Sequence, residues 1–177
     1  MLSTTTQDLS VTLAGVRTES GVTLLSLTGQ SPVLLIFLRH FGCSFCRQAI
    51  SDVANLRDEL SRRNVRPVFV HLGTPERARP FFDYYHLPNV ERISDPAAIL
   101  YRTPPFGLRR QHWSTHFFIP KVIQSWLTGS IKKYGIGSLQ DDANQMPGIF
   151  FLKDGKVART FLYKTIADQP PYLKLIA

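Results

Sequence analysis

The run VLLIFLRHFGCSFCR, from Val33 to Arg47, carries more structural information than any other part of this chain. Val33 to Leu38 is apolar without interruption and strand-sized, as expected for a strand buried on both faces. Arg39-His40-Phe41-Gly42 reads as the turn that follows it. From Cys46 to Arg62 the pattern is helical: Ile50, Val53, Ala54, Leu56 and Leu60 recur at three- and four-residue spacings, with Arg and Asp between them. A buried strand therefore runs through a short turn into an amphipathic helix, and Cys43 and Cys46 sit where the helix begins.

Outward from this unit, Val22–Leu27 reads as a short opening strand and Arg66–Leu72 as a second parallel strand. Thr74 is the expected N-cap and Pro75 the first residue of a helix running to about His86. A strand at Val90–Ile93 and a short helix at Pro96–Tyr101 follow. Thr103–Gln145 shows no simple alternation. It opens on the loop residues Thr103-Pro104-Pro105-Phe106-Gly107 and holds one helix, about Pro120–Lys133. Gly148–Leu152 and Val157–Leu162 flank Lys153-Asp154-Gly155-Lys156, a strong hairpin signal. From Pro170 a last helical turn is expected. The order β-α-β-α-β, insertion, hairpin predicts an α/β fold with a mixed central sheet, helices on both faces and right-handed crossovers. Residues 1–177 read as a single domain with the insertion at about 103–145.

Composition narrows the function. Of 177 residues, 44% are hydrophobic and only 19% charged, which excludes a disordered chain. No apolar run reaches about 18 residues, so no membrane span is expected. The first 20 residues lack a basic segment followed by an apolar one, and the cytoplasm is the expected location. The net charge of +8 comes from scattered cations, grouped only at Arg62, Arg63 and Arg66, at Arg109 and Arg110, and at Lys132 and Lys133. That pattern is a solvated basic surface, and nucleic acid is not an expected partner.

The chain has two cysteines, Cys43 and Cys46. Thiols three residues apart cannot staple distant parts of a fold, so the pair points to redox or metal chemistry. The first turn of a helix carries unpaired N–H groups and about half a positive charge, which stabilise a thiolate. Lowering a thiol from about 8.5 to about 7 requires roughly 2 kcal/mol, which a helix terminus and one cation supply together. Arg39, His40 and Arg47 are the cations near in sequence. Cys43 is the expected exposed nucleophile, and Cys46, deeper in the helix, the resolving thiol. No cofactor is required. A zinc site is the metal alternative: His112 and His116, four apart, complete a Cys2His2 set on paper.

Met146-Pro147 stands just before the strand GIFFL. X-Pro bonds are where cis peptides occur, and a cis proline beside a dithiol would expose backbone to an extended substrate. Pro147, Met146, His40 and Phe45 are the expected substrate-binding residues. The insertion also carries the apolar cluster Phe117, Phe118, Ile119, Val122, Ile123, Trp126 and Leu127. It either packs on the core or forms a subunit interface, giving a homodimer through 113–127. A non-catalytic binding or assembly module is the function class to set against the enzyme.

Several strings are familiar: Phe37-Leu-Arg-His-Phe-Gly-Cys43-Ser-Phe-Cys46-Arg47, Ser94-Asp95-Pro96 with Tyr101, and Met146-Pro147 with the Lys-Asp-Gly-Lys hairpin. Together they resemble the thioredoxin superfamily, and within it the peroxiredoxin-like branch of the alkyl-hydroperoxide-reductase and thiol-specific-antioxidant group that includes selenoprotein L relatives. The resemblance covers about Val22–Leu162. It implies a thioredoxin fold, reversible dithiol/disulfide cycling, an antioxidant, peroxide-reducing role and a cis Pro147. The implied partners are a peroxide or a protein or small-molecule disulfide, with a thioredoxin-like or low-molecular-weight thiol as external reductant. Arg39 would be catalytic with Cys43 and Cys46. The Pro-x-x-x-Thr-x-x-Cys loop of peroxiredoxins is not kept: counted back from Cys43 its positions hold Ile36 and His40, and counted from Cys46, Arg39 and Cys43. Arg102 and Arg109 are further arginines that could orient a peroxide.

Overall fold

The apolar run forms β1 (Val33–Phe37), every residue of which is buried. In this computed structural model residues 4–127, 131–135, 137 and 141–177 are described, without the side chains of 4–8, 113, 116 and 117. β1 is the middle of a five-stranded mixed sheet of order β3-β2-β1-β4-β5. β2 (Arg66–His71) lies parallel to β1, with Val33 opposite Arg66, and β3 (Glu91–Ser94) continues the parallel half. β4 (Gly148–Lys153) and β5 (Lys156–Leu162) complete the sheet antiparallel. Pro67 is tolerated in β2 because pairing with β3 begins only at Val68, so the missing N–H faces no partner.

Alternation across the pleat explains the continuous apolar run. Leu34 and Ile36 enter one core with Ile50, Val53, Phe69 and Phe82. Val33, Leu35 and Phe37 enter the other with Leu24, Val70, Tyr101 and Phe150. The hairpin turn is the expected one: Asp154 and Gly155 both take positive φ, 51° and 69°, which two-residue hairpin loops require. At the start of β4, a Cβ on Gly148 would run into the Leu108 side chain, so a larger residue there would make Leu108 shift.

The expected α/β architecture is present, with differences at the element ends. The first helix, α1 (Thr4–Gly15), was not expected; it buries Leu9 and Leu13, four residues apart. Val22–Leu27 is not a strand. Thr23 accepts the Ser26 N–H at 3.1 Å and caps α2 (Leu24–Gln30), leaving one bridge between Arg17 and Thr23. The helix expected at Cys46–Arg62 starts earlier and breaks once, into α3 (Ser44–Asn55) and α4 (Arg57–Arg62), with Leu56 at ψ 2° between them. α5 spans Pro75–Tyr84. α6 (Ile99–Arg102) begins three residues late, because the Asp95 carboxylate accepts the Ile99 and Leu100 N–H groups at 2.9 and 2.8 Å.

The insertion holds a 3-10 turn (Trp113–Phe118), α7 (Pro120–Ser125) and α8 (Ile131–Tyr134), in place of one helix over Pro120–Lys133; 128–130 lie outside the described residues. Phe106 and Leu108 join the second core, and Val122 is fully buried in the first. The chain closes with α9 (Tyr172–Leu175).

Candidate functional site

The site lies where β1 ends and α3 begins. Cys43 is the N-cap of the twelve-residue α3, with extended backbone at φ −81° and ψ 123°. Its N–H closes the turn on His40 O at 3.0 Å, and its own carbonyl accepts the Cys46 and Arg47 N–H groups at 3.1 and 3.2 Å. Both thiols are free. The expectation of an exposed Cys43 is not met: Cys43 is 7% exposed and Cys46 4%. Phe41, Phe45 and Met146 belong to the same core cluster as both cysteines.

Arg39, itself 3% exposed, organises the pair. Its backbone N–H points at Cys46 Sγ at 3.3 Å, and its guanidinium places Nη1 3.7 Å from Cys43 Sγ. The other nitrogens are fixed from across the chain: Nε donates to Gln145 O at 3.0 Å and Nη2 to Ala143 O. A buried cation held by two carbonyls and a sulfur is best balanced when that sulfur is ionised. Accordingly Cys43 is pulled well below the ordinary thiol range, first by the hydrogen bond from Cys46 and then by Arg39, against burial. Cys46 is pushed well above it, by burial first, then by its hydrogen bond to Cys43 and by the charge there. Of the two sulfurs, Cys43 is the one favoured as thiolate.

The remaining sequence candidates divide. His40 is buried beside Cys43, and its Nδ1 has no hydrogen-bond partner. Phe45 does not face an open groove; it stacks on Trp126, ring centroids 6.5 Å apart. Met146 and Pro147 are buried. Pro147 lines a cavity of about 10 Å³ with Arg39, Phe45, Cys46 and Tyr163, room for about one water and no substrate. Among the described residues the cis peptide is Pro104–Pro105, and the Met146–Pro147 bond is trans. The expected cis Pro147 is therefore corrected. The Met146 peptide is held by its N–H on Arg109 O at 3.1 Å and by Gln145 Nε2 on its carbonyl at 3.3 Å.

Arg47 turns away from the sulfurs. It donates to Phe41 O at 2.7 Å and Tyr134 O at 2.9 Å and lies over the Phe81 ring. Arg102 bonds Ala98 O and Arg109 bonds Lys164 O, so neither serves the thiols. His112 is exposed and bonded to Ser114 at 2.7 Å, while the His116 side chain lies outside the described residues. Among the described residues no three His, Cys, Asp or Glu converge on a metal position. In the apolar cluster of the insertion, Ile119, Val122 and Trp126 pack on the core, Phe118 and Leu127 stay exposed, and the Phe117 side chain lies outside the described ones.

Sequence reasoning missed Gln145. It is fully buried, its carbonyl fixes Arg39, and its Nε2 holds the carbonyls of Leu108, Arg109 and Met146. Its place directly before Met146-Pro147 was the one available signal. The segment it belongs to is anchored by Arg77 on Asp141 at 2.6 Å and Arg110 on Asp142 at 2.8 Å.

No protein-family model matches the chain. Among curated proteins it is similar to "Thioredoxin-like protein AAED1, chloroplastic" of Arabidopsis thaliana, 23% identical over 149 residues, or 81% of this chain and 60% of that protein. The chain thus spans less than two thirds of that relative's length. It is also similar to "Prostamide/prostaglandin F synthase" of Xenopus tropicalis, 26% identical over 161 residues, 88% of this chain and 77% of that protein. Among solved structures, the peroxidoxin BcpB of Mycobacterium tuberculosis superposes with a TM-score of 0.62 at 14% identity, covering 91% of this chain and 87% of that one. A secreted disulfide oxidoreductase of the same organism, homologous to DsbE of E. coli, superposes at 0.56 and 15%, covering 96% of each chain. These likenesses show the fold, which is thioredoxin-like with peroxiredoxin-type neighbours.

Proposed function

We propose that this thioredoxin-fold chain is a thiol–disulfide oxidoreductase in which Cys43 attacks and Cys46 resolves. The observation that carries the reading is the double engagement of Arg39, whose N–H meets Cys46 Sγ and whose guanidinium faces Cys43 Sγ. The Cys43 thiolate attacks a disulfide R–S–S–R′, forming Cys43–S–S–R and expelling R′–S⁻. Cys46 then attacks Cys43 Sγ, expels R–S⁻ and leaves the intramolecular disulfide. An external thiol, thioredoxin-like or of low molecular weight, returns the pair to the dithiol. With a peroxide, Cys43 takes the terminal oxygen as a sulfenic acid, the alcohol departs, and Cys46 closes the disulfide with loss of water. This antioxidant reaction, a cytoplasmic location, one domain over 1–177 and a homodimer through 113–127 belong to the same proposal. His40, Phe45, Met146 and Pro147 are its substrate-side residues, reached when the residues packed over Cys43 are displaced. Among the described residues, no helix is long and apolar enough to cross a membrane.

The test is oxidation of the reduced protein by hydroxyethyl disulfide and, separately, by hydrogen peroxide, followed by mass spectrometry of intact protein. Wild type should end as the intramolecular disulfide. Cys46→Ser should stop at the mixed disulfide or sulfenic acid, and Cys43→Ser should be inert. Wild type that keeps both thiols free with either oxidant would overturn the reading. Reaction with the disulfide alone would limit it to disulfide exchange.

A further inference from the structure

Among the substrate-side residues, His40 is the one with a titratable ring and no chemical role yet assigned to it. His40 is 5% exposed, and its Nδ1 is buried with no hydrogen-bond partner. A buried, unpaired ring nitrogen is destabilising, and folded proteins seldom leave one without a use. The turn joins the His40 and Cys43 main chains, since His40 O accepts the Cys43 N–H at 3.0 Å, and the Cys43 sulfur acts on the ring electrostatically. The charged and titratable groups that act on the ring are Cys43, Arg39, Asp141 and Arg47, in that order. The Asp141 carboxylate is taken by both terminal guanidinium nitrogens of Arg77. Burial first, with Arg39 and Arg47, holds the imidazole below its ordinary range, against Cys43 and Asp141. The ring is therefore neutral at neutral pH, with one nitrogen that donates and one that accepts.

Disulfide exchange moves a negative charge. Cys43 Sγ begins with it, and the departing sulfur ends with it. In an in-line displacement the departing sulfur stands two S–S bonds away, roughly 4 Å from Cys43 Sγ. Arg39 is already fixed by Ala143 O and Gln145 O, and the Cys46 N–H by Cys43 O. Cys43 is only 7% exposed, so a thiolate departing beside it is poorly solvated and needs a donor at that second position.

We propose that His40 supplies it: Nδ1–H of the neutral ring donates a hydrogen bond to the sulfur that departs when Cys43 attacks a disulfide. The inference rests on the oxidoreductase reading above and names the atom that the leaving group meets. The S–S bond of R–S–S–R′ breaks, Cys43–S–S–R forms, and R′ leaves with the electron pair. R′–S⁻ is protonated in water after release, and the ring keeps its proton throughout. Alkyl disulfides, whose thiolates are poor leaving groups, are the substrates for which this donor counts.

The experiment compares single-turnover reaction of Cys46→Ser protein with hydroxyethyl disulfide and with dithiobis(nitrobenzoate), whose thiolate leaves unaided. Adding His40→Leu should slow the alkyl disulfide at least tenfold and the aromatic one less than threefold. His40→Gln, a neutral donor, should recover most of the loss. Iodoacetamide alkylation of Cys43 at alkaline pH should be alike in all of these proteins. Equal slowing with both disulfides, or slowing with neither, would overturn the role of His40. Absence of reaction before His40 is changed would instead overturn the dithiol reading. If His40→Leu does not fold, rates of the His40-containing protein across alkyl and aryl disulfides decide. A dependence on leaving-thiol pKa shallower than that of free cysteine supports the donor, and one equally steep overturns it.

Discussion

Arg39 joins three things that are far apart in the chain. Its main chain serves Cys46, its guanidinium serves Cys43, and the same guanidinium holds the carbonyls of Ala143 and Gln145, more than a hundred residues away. Lysine keeps the charge but cannot reach these partners from one planar fork. Arg39→Lys should therefore slow iodoacetamide alkylation of Cys43 at about pH 6.5 by roughly tenfold, the scale of one lost charge-assisted hydrogen bond. The rate should recover as the pH rises, because Cys43 is held below the thiol range partly by this cation. A profile superposable on wild type would mean that Cys46 and the helix start suffice. Arg39 was legible because it lies four residues from Cys43 and next to the strand. Gln145 was not, because a polar side chain that folds back on carbonyls leaves no periodic or compositional trace.

α3 does its work through its first turn, and that turn depends on where β1 stops. Leu38 N donates to Val70 O at 2.9 Å, and the Tyr101 hydroxyl, fully buried, lies between Leu38 O and Val70 O and donates to them. Tyr101 thereby ties α6 to the strand ends that lead into Arg39. Tyr101→Phe leaves both carbonyls without this donor and should lower stability by about 1–3 kcal/mol in urea unfolding. A loss under a few tenths would show that water replaces the hydroxyl. Asp95 acts one step earlier, since its carboxylate starts the helix that presents Tyr101. The Ser-Asp-Pro string with a following tyrosine was visible in sequence, whereas its meaning as a cap for α6 was not. The opening segment was misread for a related reason. Leu24 and Leu27 suit a strand or a helix, and Thr23 as N-cap decides for the helix.

For the whole molecule, the two thiols make stability depend on pH in opposite senses. Cys43 is depressed in the folded state, so the reduced protein gains stability as the pH rises from its folded value towards the unfolded thiol value, roughly 8.5. Cys46 is elevated, so above about 8.5 the unfolded chain releases a proton that the folded one retains, and stability falls. Urea unfolding of the reduced protein between about pH 5 and 10 should show a maximum near the unfolded thiol value. Cys43→Ser should remove the rise on its acid side; a rise that persists in this variant would assign it to other groups. Sequence alone determined the β-α-β unit, the terminal hairpin and the placing of both cysteines at a helix start. Those features follow from local periodicity and turn chemistry, which act within a few residues. Tertiary structure alone decided that the dithiol is buried, that the Met146–Pro147 bond is trans and that residues 143–145 lock Arg39. It also decided that α1 and much of the insertion complete the cores. These depend on which distant segments fill the space around a side chain, and no single stretch of the chain carries that information.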